Sequence, residues 1–269
     1  MLEDELLFLF LFRVLVASLI VIFATILAER VSAFYASLIG AFPTSAGPAY
    51  IMLAIKEDAS FVADSALYSM ASMAAIAPFV TVLILCAPKR GIFVTLLSSV
   101  LIWLVFISII REIQWTPLTA LILNLVIYST CFYITSKVHY EEKIISKEKG
   151  NWGELIFRCL AVGLFVAVIV TASSSLGSNM TGLSAVFPIV LLVLTIILYT
   201  RFDGSAVAIT MYSALRVVSG LVFVMMALHY GVNLFGEVVG LVIAFLSSIM
   251  LVLLSIFLNK RFNWFKMNM

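Results

Sequence analysis

Arg216 has the greatest chemical leverage in this chain, because it stands near the middle of an apolar run, Ser205–His229. A guanidinium at the centre of a bilayer costs about 2.5–3.5 kcal/mol on insertion scales, so it faces a cavity or finds a partner. Two readings follow: a contact for solute or ion, or an ion pair locking two helices. Tyr212 and Gly220 share its helix face at four-residue spacing, which would make that face a polar wall. Asp64 is the candidate carboxylate, both as partner and as proton-coupling group. Ser65, Ser69 and Ser72 continue from it as a polar stripe among alanines. Asp64 lies near a membrane surface and Arg216 near the centre, a difference in depth that argues against direct contact, and their pairing is carried as a hypothesis.

Backbone chemistry is the second signal. Pro43-Thr-Ser45-Ala-Gly47-Pro48 crowds two prolines, a glycine and two hydroxyls into an apolar segment, and Phe187-Pro188 echoes it later. Proline removes a backbone donor and clashes with the carbonyl four residues earlier. Carbonyls freed at membrane depth are tolerated only against protein or a watery cavity. The first segment reads as a broken helix lining a site, or else as an ordinary kink. The second, with Pro188 followed by a clean apolar run, is expected to be only kinked.

Other polar residues have plainer readings. Arg13 and Arg158 are each within reach of a membrane face, so snorkelling to headgroups and lipid phosphate explains them. Asp58 and Asp203 each precede a helix start and suit N-capping. Asn124 suits an interhelical hydrogen bond. Trp103, Trp115, Trp152 and Trp264 read as an interfacial belt.

Several classes of chemistry find no foothold. The two histidines, His139 and His229, lie in different polar breaks, and Cys86, Cys131 and Cys159 lie in apolar segments without metal-ligand spacing. No paired carboxylates, Ser/Lys set or nucleotide-binding motif is present. The expectation is a non-enzymatic protein without cofactor or metal, and a net charge of +2 gives no footing for nucleic acid.

The elements that position these residues are membrane helices. Of 269 residues, 64% are hydrophobic and 11% charged, with a mean hydropathy of +1.21. A soluble domain is about a quarter charged. Apolar runs long enough to span a bilayer fall at Leu6–Ala28, Ala33–Ile55, Ser60–Ala87, Gly91–Ile110, Pro117–Ser136, Glu154–Ala172, Gly182–Thr200, Ser205–His229 and Gly231–Leu258. That predicts an all-α polytopic protein of about nine transmembrane helices. The first run, behind Glu3, Asp4 and Glu5, reads as a retained helix and not a cleaved signal.

Charge orients the helices. Lys56 and Arg111 fall on one side. Arg30, Lys89, Arg90, Lys137, Lys143, Lys147, Lys149, Arg201, Lys260, Arg261 and Lys266 fall on the other. The basic side is cytoplasmic, which places the N-terminus outside, the C-terminus inside and the chain in a plasma (inner) membrane. The basic loop and tail would meet anionic membrane lipids.

An offset of 145 residues aligns the chain with itself. Phe12-Arg13 meets Phe157-Arg158, Phe42-Pro43 meets Phe187-Pro188, and Asp58, Ser60, Val62 and Ala63 meet Asp203, Ser205, Val207 and Ala208. This divides the chain into a four-helix repeat (1–113), a spacer helix with a cytoplasmic loop (114–153) and a second four-helix repeat (154–269). An odd number of helices precedes the second copy, so it enters upside down. The layout resembles the broad class of inverted-repeat secondary carriers. That resemblance implies alternating access and sites near the midplane on interrupted helices. The expected function is transport of a small, anionic solute. The alternative is a membrane subunit of a larger envelope or transport complex, and self-association is open to either.

Overall fold

A computed structural model describes residues 2–29, 46–138 and 152–262, and every regular element among them is an α-helix. In chain order these are α1 (Leu2–Glu29), α2 (Ala46–Lys56), α3 (Ala59–Cys86), α4 (Ile92–Ile110), α5 (Pro117–Ser136) and α6 (Trp152–Ala185). Then come α7 (Ile189–Arg201), α8 (Gly204–Val218), α9 (Leu221–Phe235) and α10 (Glu237–Phe262). Among the described residues, six stretches are long and apolar enough to cross a membrane: α3, α4, α5, α6, the α8–α9 pair and α10.

The centre is α3, which packs against α4, α5, α6, α8 and α9. Its sequence explains why. Lipid tails give no hydrophobic drive for helix association, so small residues that permit close approach and side-chain hydrogen bonds decide the packing. Ala63, Ala66, Ala71, Ala75 and Ala77 are buried around its circumference with Ser65, Ser69 and Ser72. Within the hydrophobic window of α3, 78% of residues are buried, against 17% for α10, whose apolar side chains face outward. Exposed leucines and phenylalanines on α4, α5 and α10 form the lipid-facing surface.

Helix ends follow from local chemistry. Asp58 caps α3 by accepting from the Phe61 N–H, and Asp203 caps α8 by accepting from Ser205 and Ala206. Thr116 and Thr119 close a reciprocal capping box on α5, with Pro117 behind the cap. Pro48 lies in the first turn of α2, where its missing N–H is harmless. Gly47-Pro48 therefore opens a helix. Pro43 and Ser45 lie outside the described residues.

Four expected spans are redrawn. Glu154–Ala172 runs on to Ala185, with the helix re-aimed at Gly177, whose φ of 74° suits glycine. Gly182–Thr200 is not one kinked helix. Gly182–Ala185 closes α6, and α7 starts afresh at Ile189. Between them Pro188, with no N–H to give, lets the Ile189 N–H reach back to the Phe187 carbonyl at 2.7 Å, a turn too tight for a helix. Ser205–His229 extends to Phe235 and tightens at Ser219-Gly220, where the Gly220 N–H bonds Val217 and the Phe223 N–H bonds Gly220, three residues back in each case. The last helix accordingly starts at Glu237.

Element boundaries recur at one spacing. The helices α3 and α8 begin at Ala59 and Gly204, α4 and α10 begin at Ile92 and Glu237, and α2 and α7 end at Lys56 and Arg201. Each pair is 145 residues apart.

Candidate functional site

Arg216 sits in the last turn of α8, twelve residues from its start, or about 18 Å along the axis. Its guanidinium lies over the ring of Tyr212, 3.8 Å from the centroid, and donates to both the carbonyl and the hydroxyl of that residue. Tyr212 is buried, so the ring is a fixed platform. Among the described residues Arg216 makes no ion pair, and no contact joins it to Asp64, which is exposed on α3. The structure leaves these two residues apart.

Arg216 lines a cavity of about 270 Å³ between α5, the α8–α9 junction and α10. Asn124 and Tyr128 of α5 enter the same cavity, with Ser219, Gly220 and Ser255. The Asn124 Nδ2 group donates to the carbonyls of Met70 and Ala120, both at 2.8 Å, which fixes the orientation of the amide. Its Oδ1 is buried and accepts no hydrogen bond among the described residues. Tyr128 donates to the Met73 carbonyl at 3.2 Å. The site therefore offers a cation on a mostly apolar wall.

Ser69 is not on an open path. Its hydroxyl donates to the Gly182 carbonyl at 2.6 Å and meets the Tyr50 hydroxyl at 2.7 Å, fully buried. Ser65 and Ser72 donate likewise to the carbonyls of Ser178 and Leu183. The carbonyls of Gly182 and Leu183 belong to the last turn of α6 and lack intrahelical partners. The stripe on α3 is thus a stitch that satisfies the broken helix end. Pro188 is buried at the break itself, and Gly47 lies half-buried in the first turn of α2.

The remaining candidates have specific surroundings. Arg13 donates to the Thr171 hydroxyl of α6 at 2.7 Å, a bond across the bundle. Arg158 is half-buried on α6. Trp103 departs from the interfacial belt: it is buried, edge-on to Phe187 with ring centroids 4.8 Å apart, beside the break before α7.

A further polar cluster joins the end of α2 to α6. Lys56 donates to the Val170 carbonyl and the Ser173 hydroxyl, both at 2.8 Å, near the end of the first segment of α6. Glu57 accepts from Ser173 at 2.6 Å and Ser174 at 3.0 Å, and pairs with Lys56 at 3.2 Å. Burial pushes the Glu57 carboxyl up, but the two serine hydroxyls and Lys56 outweigh it and hold it below its ordinary range. The signal for this cluster lay in register: Lys56 and Arg201 are 145 residues apart, and Arg201 pairs with Glu154.

No protein-family model, curated protein or solved structure matches the chain.

Proposed function

We propose that this protein is a secondary carrier of a small anionic solute, working by alternating access between two inverted halves around α5. The observation that carries the reading is Arg216: a guanidinium at membrane depth, held on Tyr212, facing a cavity and without a carboxylate partner among the described residues. A charge so costly in hydrocarbon marks a solute or ion path, and its sign selects an anion.

The backbone supports this. The half-helices α2 and α7 have 11 and 13 residues, so from the ends they share with the polar breaks they reach about 15–20 Å inward. That is about the middle of a hydrocarbon core some 30 Å thick. Both begin there with the positive end of the helix dipole. The 145-residue spacing of helix starts and ends supports duplication, and nine crossings with basic loops inside would invert the second copy. Two copies of one unit, exchanging conformations, supply outward- and inward-open states of similar energy.

The test is flux of a panel of small anions into proteoliposomes, comparing wild type with Arg216→Ala. A flux that falls about tenfold or more in the variant supports the reading, as expected for loss of a charged hydrogen-bond donor. Equal flux removes Arg216 from the path. A tightly co-purifying membrane partner, with no flux by the chain alone, would favour a subunit of a larger complex.

A further inference from the structure

We infer that the ligand of the Arg216 cavity is an amphipathic oxyanion that enters sideways from the bilayer, its acid group on Arg216 and its tail left in hydrocarbon. The inference rests on the proposed carrier reading for its biological sense, but its observations are those of the cavity. The rim consists of Leu125 on α5, Phe223 on α9 and Leu254 on α10, exposed by 57%, 50% and 48%. These exposed faces belong to membrane-spanning helices, so what they face is lipid, and the opening leads to hydrocarbon. Inside stands one polar group that asks for a complementary atom. The Arg216 guanidinium retains N–H donors beyond those spent on Tyr212.

A ligand that answers it carries a carboxylate or phosphate for Arg216. Its tail must be apolar, because the rim and the wall between them offer Leu121, Val222 and Leu251. A volume of about 270 Å³ is small for a ligand pocket, enough for a head and the start of a chain. A purely water-borne ion would have to cross the apolar rim unassisted. An amphiphile already partitioned in the bilayer arrives at the right depth by lateral diffusion.

N-octanoylglycine has this chemistry, with a carboxylate and an apolar tail. Binding to the purified full chain is measured against N-acetylglycine, which lacks the tail. The variants are Arg216→Gln and Leu254→Trp, the second narrowing the opening from a lipid-facing position that bears no fold. Saturable binding of N-octanoylglycine, weakened about tenfold or more by Arg216→Gln and also by Leu254→Trp with unchanged melting temperature, supports the inference. Weaker binding of N-acetylglycine supports it further.

Equal binding of N-acetylglycine, or indifference to both variants, overturns it. Phosphatidic acid that co-purifies one-to-one and resists exchange by N-octanoylglycine shows a resident lipid headgroup and overturns entry of a diffusing ligand. Flux in proteoliposomes separates the two claims. Arg216-dependent flux of short anions without amphiphile binding keeps the carrier and removes this ligand. Amphiphile binding with this profile and no flux keeps the ligand and removes the carrier.

Discussion

The Ser69 hydroxyl and the Gly182 carbonyl oxygen are 2.6 Å apart, joining the middle of α3 to the last turn of α6. The contact needs both residue types. A Cβ added at Gly182 would overlap the carbonyl oxygen of Ser65, one turn earlier on α3. Gly182→Ala should therefore force α3 and α6 apart and cost about 1–3 kcal/mol, the range of overpacked cores. Ser69→Ala loses only the hydrogen bonds and should cost about 0.6 kcal/mol, the mean for interhelical bonds in a membrane protein. Thermal unfolding in detergent checks the order. A Gly182→Ala protein as stable as wild type would show that this approach is not what holds the broken end of α6.

Tyr212 offers a finer instrument on the Arg216 cavity. Tyr212→Phe keeps the ring under the guanidinium and removes only the hydroxyl that receives its N–H. Stability should change little, while ligand binding should weaken by a few-fold, because the guanidinium loses its orientation but keeps its charge. The Arg216→Gln effect should be larger. If Tyr212→Phe equals Arg216→Gln, the hydroxyl and not the cation would be the contact.

Glu57 predicts a pH response with a definite sign. Its carboxyl is held below the ordinary value of 4.5 in the folded chain. Its contribution to stability is therefore full above that value and disappears as pH falls through the lower folded value. Asp58, lowered by the Phe61 N–H and the Ser60 hydroxyl, acts in the same direction. Melting temperature should drop on acidification from pH 5 toward pH 3, a window around and below the reference carboxylate values. Glu57→Gln should flatten part of that slope and leave the part due to Asp58. An unchanged slope would mean that the bonds to Ser173 and Ser174 do not persist in solution.

Much of this arrangement is legible in the residues. Apolar runs of bilayer length place α3, α4 and α5 almost to the residue, because a helix that must satisfy its backbone in lipid has few other choices. Asp58 and Asp203 announce the starts of α3 and α8 by their own chemistry. The interruptions are less legible. Phe187-Pro188 separates two helices because Ser69 and Ser72, over a hundred positions earlier, supply donors to the carbonyls left open. Likewise Ser65, Ser69 and Ser72 show a helical stripe in sequence, but not that another helix end covers it. Arg216 is conspicuous by its charge. Its neighbours Asn124 and Tyr128 come from α5 and share a cavity with it only through the packing around α3.

Orientation gives the last prediction. Ser60 and Ser205 stand two residues past the capping aspartates of α3 and α8 and are 145 residues apart. If the second unit is inverted, these equivalent positions lie on opposite faces of the membrane, Ser60 outside and Ser205 in the cytoplasm. The charge distribution argues for it, since Lys89 and Arg90 follow α3 on the side where Arg201 precedes α8. The Ala87 carbonyl, at the end of α3, accepts from the Tyr199 hydroxyl near the end of α7 at 2.9 Å, which ties those two breaks to one face. With Cys86, Cys131 and Cys159 replaced by alanine, single cysteines at the two serine positions can be probed in intact cells with an impermeant maleimide. Ser60→Cys should label directly, and Ser205→Cys only after permeabilisation. Equal labelling of both from outside would leave a duplication without inversion, and with it no basis for exchanging two halves across the membrane.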